Sequence, residues 1–377
     1  MKSFFYAAVG ELLTTYELDV INATLTPTSS ISLPAWVQYA WQHPRLPILY
    51  VVSSNGGPTG GPGDTHHATT WSINRADGSL SRLGAALTLP ARPIHCTVDG
   101  LGRQLLVAYN QPSGLSLHAL TEEGRLANLK GPDDLKLDGI YGHQIRVTPS
   151  NRSAIFVTRG NDARDERKEE PGALRVYGLE GQGLVESQTV QPGDGGLGFG
   201  PRHLDFHANG RWVYVSVERQ DELQFFSLDA SDRLSTKAHT TIRSLAAPAN
   251  AVGPQLACAV RVHPTGRFVY QANRTDKLAD SNGWRVAQGG EDSLVVYSVD
   301  PDSGHPALIQ RVLVPTVHIR TFSIDLTGRM LIAASIAPVP VERPNGDIQL
   351  MPAGLLMYAI GEDGHLSLAR QYDIDTR

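Results

Sequence analysis

A hairpin-sized unit recurs along this chain, and a fixed internal repeat constrains a fold more than any single motif can. Its clearest copies read HCTVDGLGRQLLVAYN (95–110), RHLDFHANGRWVYVSVE (202–218), CAVRVHPTGRFVYQANR (258–274) and RTFSIDLTGRMLIAASI (320–336). Weaker copies stand at WVQYAWQHPRLPILYVV (36–52) and HQIRVTPSNRSAIFVTR (143–159). Each is an alternating apolar run, a turn ending in Gly-Arg or a relic of it, and a second alternating run. That is the pattern of a β-hairpin with one buried face, the glycine supplying the positive φ of a tight turn. The turn arginines Arg45, Arg103, Arg152, Arg211, Arg267 and Arg329 are read as structural, covering turn carbonyls.

Between the copies lie further strand–turn–strand pieces, such as LSLHALTEEGRLANL and LVVYSVDPDSGHPALI. Hairpin plus hairpin makes a four-stranded antiparallel sheet, and the spacing of the turn arginines, from 49 to 62 residues, is that of propeller blades. The expected fold is all-β: one seven-bladed β-propeller domain over 1–377. Six copies leave one blade to find. The opening FFYAAVGELLTTYELDVINATLTPTSS offers three runs and LLMYAIGEDGHLSLARQYDI is read as holding one to spare, so the N- and C-terminal strands are expected to share the closing blade. Inserts at 56–70, 161–172, 275–291 and 337–354 all follow the second strand of a hairpin and are expected on one face, where loops commonly wall a site.

Composition enters mainly to exclude. With 33 basic and 38 acidic side chains the net charge is -5, which argues against nucleic acid as a partner. No run approaches a membrane span, and the apolar start MKSFFYAAVGELL is interrupted too early for a secretory leader, so it is read as a strand. Cys96 and Cys258 stand far apart without CxxC spacing, and no histidine pair has metal-ligand spacing, so no disulfide framework, metal or cofactor is implied and a cytoplasmic location is expected. The oligomeric state is not legible in one chain.

Aligning the copies on their turn arginines makes rings of equivalent positions. Nine residues before the arginine stand Trp36, Ile94, His143, Arg202, Cys258 and Arg320; seven after it stand Val52, Asn110, Arg159, Glu218, Arg274 and Ile336. A purely packing position would repeat one apolar type. Here histidine, glutamate and several arginines occupy one inner rim, where desolvating a charge is costly, and this marks a polar ligand site. A structural ion pair is the competing reading for Glu218 with Arg202 or Arg274, and a hydrogen-bonded core residue for His143.

The segment GPRHLDFHANGRWVYVSVE, with GHQIRVTP, ACAVRVHPTGRFVYQANR, RTFSIDLTGR and PIHCTVDGLGRQLLVAYN, resembles the seven-bladed β-propeller lactonase family, which includes bacterial 6-phosphogluconolactonases and carboxy-cis,cis-muconate lactonizing enzymes. The resemblance implies a metal-free site with catalytic residues His143, Arg202, Glu218 and Arg274. Arg320, Arg159, Asn110 and His95 are the substrate-binding candidates. Departures stand at Ser54-Asn55, Gly142 and Ser335-Ile336. His143 or Glu218 would serve as general acid or base, while Arg202 and Arg274 hold an anionic group or face the oxyanion. No GxSxG elbow points to an acyl-enzyme. The expected activity is hydrolysis of a sugar lactone, possibly phosphorylated, acting on a small anionic substrate. Lactonization of a carboxymuconate-type diacid and a non-catalytic binding scaffold are the alternatives.

Overall fold

A computed structural model describes residues 2–57, 61–127, 135–180, 183–246, 255–276, 278–281, 283–287, 289–342 and 345–376. The inserts at 56–70, 275–291 and 337–354 each lie partly outside these. The chain forms two compact units, Met1–Leu197 and Gly198–Arg377. Among the described residues there are strands, turns and one 3-10 turn, Glu218–Gln220, but no α-helix.

The first unit holds four sheets. The opening one has three strands, Ser3–Val9, Leu12–Asp19 and Thr24–Ser32. The others start at Val37–Gln42, Pro93–Val98 and Gly142–Val147, the first strands of the repeat copies. The second unit holds three four-stranded sheets starting at Pro201–Phe206, Gln255–Val262 and Ile319–Ile324, and a smaller accessory sheet built by its inserts. Strands follow chain order in the seven main sheets, and all but the three-stranded opening sheet are meanders built from two hairpins. The last sheet takes both C-terminal runs, Ala353–Ile360 and Leu366–Ile374, as its third and fourth strands. This corrects the expected surplus run: insert 337–354 sits between the hairpins of that sheet, and four strands use up the C-terminal segment.

Several second strands are buried along their whole length, as at Ile48–Ser54, Ser153–Thr158 and Trp212–Val217. The expectation of hairpins with one buried face fails for them because neighbouring sheets cover both sides. One cluster joins Tyr214 and Phe225 to Val269 and Tyr297; another joins Tyr270 and Val296 to Leu331 and Tyr358. Outer strands are instead largely exposed, as at Leu366–Ile374.

Two repeated hydrogen bonds fix neighbouring sheets at their turns. Where three copies carry histidine in the first hairpin turn, His43, His207 and His263 pair through Nε2 with the carbonyls of Gly102, Gly266 and Gly328, the turn glycines one copy later, at 3.3, 3.1 and 2.8 Å. The second tie runs from Tyr6, Tyr50, Tyr214 and Tyr270, whose hydroxyls donate to the carbonyls of Gly78, Gly124, Gly304 and Gly364. Gly364 shows why only glycine serves: its φ is +83°, and a Cβ there would run into the Phe268 ring.

The repeat also carries a β-bulge at one fixed place. Pairing of the first and second strands skips Gln38, Ile94, His143, Arg202, the pair Cys258 and Ala259, and Arg320. A bulge inserts a residue opposite none, bends the strand and re-aims the side chain. Five of these positions are the ring read from the sequence. In the copy at 36–52 the ring member is Gln38 rather than Trp36, and across the hairpin Ser54 rather than Val52, because Pro47 and not Arg45 holds the place of the turn arginine; the turn itself has the common length, His43 to Ile48 matching His207 to Trp212.

Candidate active site

In the second unit the bulge and the end of the second strand put three ring positions together. Arg202, in Pro201–Phe206, directs Nε to Glu218 Oε1 at 3.0 Å. Glu218 begins the 3-10 turn that ends the next strand. Arg274, near the end of Phe268–Thr275, brings Nη2 to the same carboxylate oxygen, also at 3.0 Å, and its Nη1 hydrogen-bonds Cys258 Sγ. All three are buried, with 3–5 % of each side chain exposed. Burying one carboxylate oxygen between two guanidiniums costs solvation that the ion pairs do little more than return.

Arg320, at the bulge of Ile319–Ile324, adds a third cation with no carboxylate ion pair of its own among the described residues. Burial and then the charges of Arg274 and Arg202 push it down to about 10, which places the three guanidiniums within mutual electrostatic reach. For Arg274, burial works against the charge, but Cys258, Glu218 and Asp276 outweigh it and raise the group above its ordinary value. Two acids nearby are held toward the protonated form. Burial raises Asp221 to about 7 although the Ala257 N–H bonds it, and Glu218 adds to the rise. Burial also raises Asp292, which accepts from the backbone N–H of His318 at 2.7 Å and of Thr275 at 3.2 Å. Three arginines thus face one shared, firmly held carboxylate, an arrangement suited to an anion.

The remaining candidates lie in the first unit. His143 is buried at the bulge of Gly142–Val147, preceded by Tyr141 in a left-handed conformation, φ 56°. Arg159 lies over the Tyr141 ring at 5.3 Å and pairs with Asp162 of the 161–172 insert at 3.1 Å. Asn110 is buried, with Oδ1 lacking a hydrogen-bond partner among the described residues. His95, the other substrate-binding candidate, sits beside the bulge and not on it. The bulge takes up Ile94 and leaves His95 in the ladder, fully buried, with the Tyr39 ring 4.0 Å and the Trp41 ring 5.8 Å away.

Periodicity missed three groups. Arg92, buried, donates through Nε and Nη2 to Oε1 of the bulge residue Gln38, at 3.1 and 2.9 Å. His318 and Asp276 lie two residues outside the ring positions of Arg320 and Arg274, and their side chains approach to 3.4 Å. Widening each ring position by two residues would have found all three.

The chain matches the family described as "Lactonase, 7-bladed beta-propeller" over residues 5–337, and it belongs to that family; its seven repeated sheets are the blades. Among similar curated proteins, the 6-phosphogluconolactonase of Pectobacterium carotovorum is 28% identical over 347 residues, covering 90% of each chain. That of Bacillus subtilis is 24% identical, covering 86% of this chain and 84% of its own. The solved periplasmic gluconolactonase of Pseudomonas aeruginosa shares the fold with a TM-score of 0.70 at 20% identity, over 99% of this chain and 97% of that one. Among the described residues no helix is long and apolar enough to cross a membrane.

Proposed function

We propose that this chain hydrolyses a sugar lactone carrying an anionic group, with a phosphorylated sugar lactone as the best substrate. The observation that carries the reading is the sharing of one Glu218 oxygen by Arg202 and Arg274, with Arg320 as a further cation beside them. Glu218 fixes both forks in advance of the substrate. Such fixed donors contribute most where negative charge develops, on the carbonyl oxygen of the tetrahedral intermediate or on a phosphate. A well-placed general acid or base contributes about 10²–10⁴ in rate. Membership of the lactonase family, with relatives named 6-phosphogluconolactonase and gluconolactonase, supports the reaction class. A cytoplasmic location belongs to the same reading and rests on two free, buried cysteines, Cys96 and Cys258.

The test is proton release from a panel of lactones, including 6-phosphogluconolactone and gluconolactone, by the purified full chain. Hydrolysis well above the spontaneous rate is expected, and Arg274→Ala should lower kcat/KM by about 10²–10³. Inertness toward every lactone, together with loss of ultraviolet absorbance from a muconate, would replace this reading with lactonization.

A further inference from the structure

His318 carries a combination of features that packing does not require. It takes a left-handed backbone, φ 64°, which a β-strand neighbour without special need avoids. Its amide is pinned to the buried Asp292 carboxylate at 2.7 Å. The ring bonds the Thr275 backbone, and Nδ1 lies 3.4 Å from Asp276 Oδ1, an arrangement in which Nδ1 carries the proton and Nε2 the lone pair. Nε2 is buried and has no hydrogen-bond partner among the described residues. An orphaned buried acceptor is costly, so a fold that keeps one commonly uses it.

We propose that His318, set by the Thr275 backbone and Asp276, is the general base that activates water for attack on an anionic lactone held at Arg202, Arg274 and Arg320. The inference rests on the lactone-hydrolase reading. Nε2 takes a proton from water as the water oxygen bonds to the lactone carbonyl carbon, and the carbonyl π pair moves onto its oxygen. On collapse, the bond from the acyl carbon to the ring oxygen breaks and the proton on Nε2 passes to that oxygen. Water and lactone become a hydroxy acid, with no other reactant needed.

Without a ligand, burial and then the charges of Arg274, Arg320 and Arg202 hold His318 down to about 3, too weak a base for efficient proton transfer near neutrality. A dianion on the same guanidiniums removes much of that pressure. A neutral lactone does not, so the site would select for charge in the chemical step as well as in binding. The titratable and charged groups around this cluster are Arg202, Glu218, Asp221, Cys258, Arg274, Asp276, Asp292 and Arg320.

Two measurements test this on the full chain. In lactone hydrolysis, His318→Gln should lose about 10²-fold or more in kcat with KM within about threefold, while Asp276→Asn, a positioning variant, should lose roughly tenfold in kcat. The second uses sulfate, a dianion that does not titrate near pH 5. Its binding to the wild-type protein, followed calorimetrically in buffers of different ionisation enthalpy, should take up a fraction of a proton that His318→Gln no longer takes up. The other acids of the cluster remain in both proteins as a common background. Sulfate affinity retained in His318→Gln shows that the cluster is still folded. A variant with kcat within about threefold of wild type, or equal proton uptake in both proteins, would overturn the proposal. A wild-type protein inert toward all lactones would instead sink the hydrolase reading, and the sulfate measurement would still judge whether an anion releases His318.

Discussion

Asp221 and His318 are both held neutral by burial, and they tilt the stability of the protein in opposite directions with pH. Folded Asp221 keeps its proton up to about 7, whereas the unfolded side chain loses it near 3.8. Its contribution is therefore whole below pH 3.8 and is lost as pH rises through 7. Folded His318 refuses a proton until about 3, whereas the unfolded side chain accepts one near 6.5, so its contribution is whole above 6.5 and is lost as pH falls toward 3. Asp221 also sits at φ 54°, a conformation asparagine tolerates well. Asp221→Asn should accordingly raise stability at pH 8, by roughly 2–4 kcal/mol, and leave it little changed at pH 4. Urea titrations at the two pH values check this, and equal shifts at both would count against the assignment. At this scale the sequence was a partial guide. Arg202, Glu218, Arg274 and Arg320 stood out because a charge in a repeated apolar position is conspicuous, while His318 did not because nothing in spacing reports a left-handed backbone.

At the scale of the element, the informative unit is the bulged first strand. One skipped residue in each copy turns a side chain out of the sandwich of neighbouring sheets, which is why the same position can be isoleucine in one blade and arginine in another without disturbing the strands. Gap-free alignment found this ring, but it erred by two residues at Trp36 and Val52 because Arg45 lies two residues before the place the turn arginine takes in the other copies. Two inserts of the second unit also have structure that their composition did not announce. Leu278–Ser281, Trp284–Ala287, Val339–Glu342 and Ile348–Met351 form one accessory sheet, joined by a parallel pairing at Ala287 and Val341. Neither insert shows a strand pattern alone, because each supplies only half the sheet. The glycine turns were fully legible. Gly364→Ala should cost on the order of 1–3 kcal/mol, since it strains a φ of +83° and crowds Phe268, whereas Tyr270→Phe, losing only the hydroxyl bond to Gly364, should cost about 1 kcal/mol. Melting temperatures of the two variants, read by circular dichroism, decide whether the order holds.

For the whole molecule, six repeat copies and the runs left over at the ends pointed to seven blades, and the family match and the seven main sheets agree with it. Which sheet each terminal run joins was less legible, because counting runs does not say so. The reading of the chain as a single domain predicts one cooperative calorimetric transition, and two resolved transitions would contradict it. The central claim concerns charge: Arg202, Arg274 and Arg320 outnumber Glu218 so that an anionic lactone is preferred. Arg320 allows a clean test, because its removal leaves both Glu218 ion pairs in place. The decisive quantity is the ratio of kcat/KM for 6-phosphogluconolactone to that for gluconolactone, in the wild-type protein and in Arg320→Gln. The account predicts a ratio of about 10² or more that falls to roughly ten or less in the variant, with gluconolactone hydrolysis little affected. A wild-type ratio near one, or a ratio unchanged in Arg320→Gln, would contradict it.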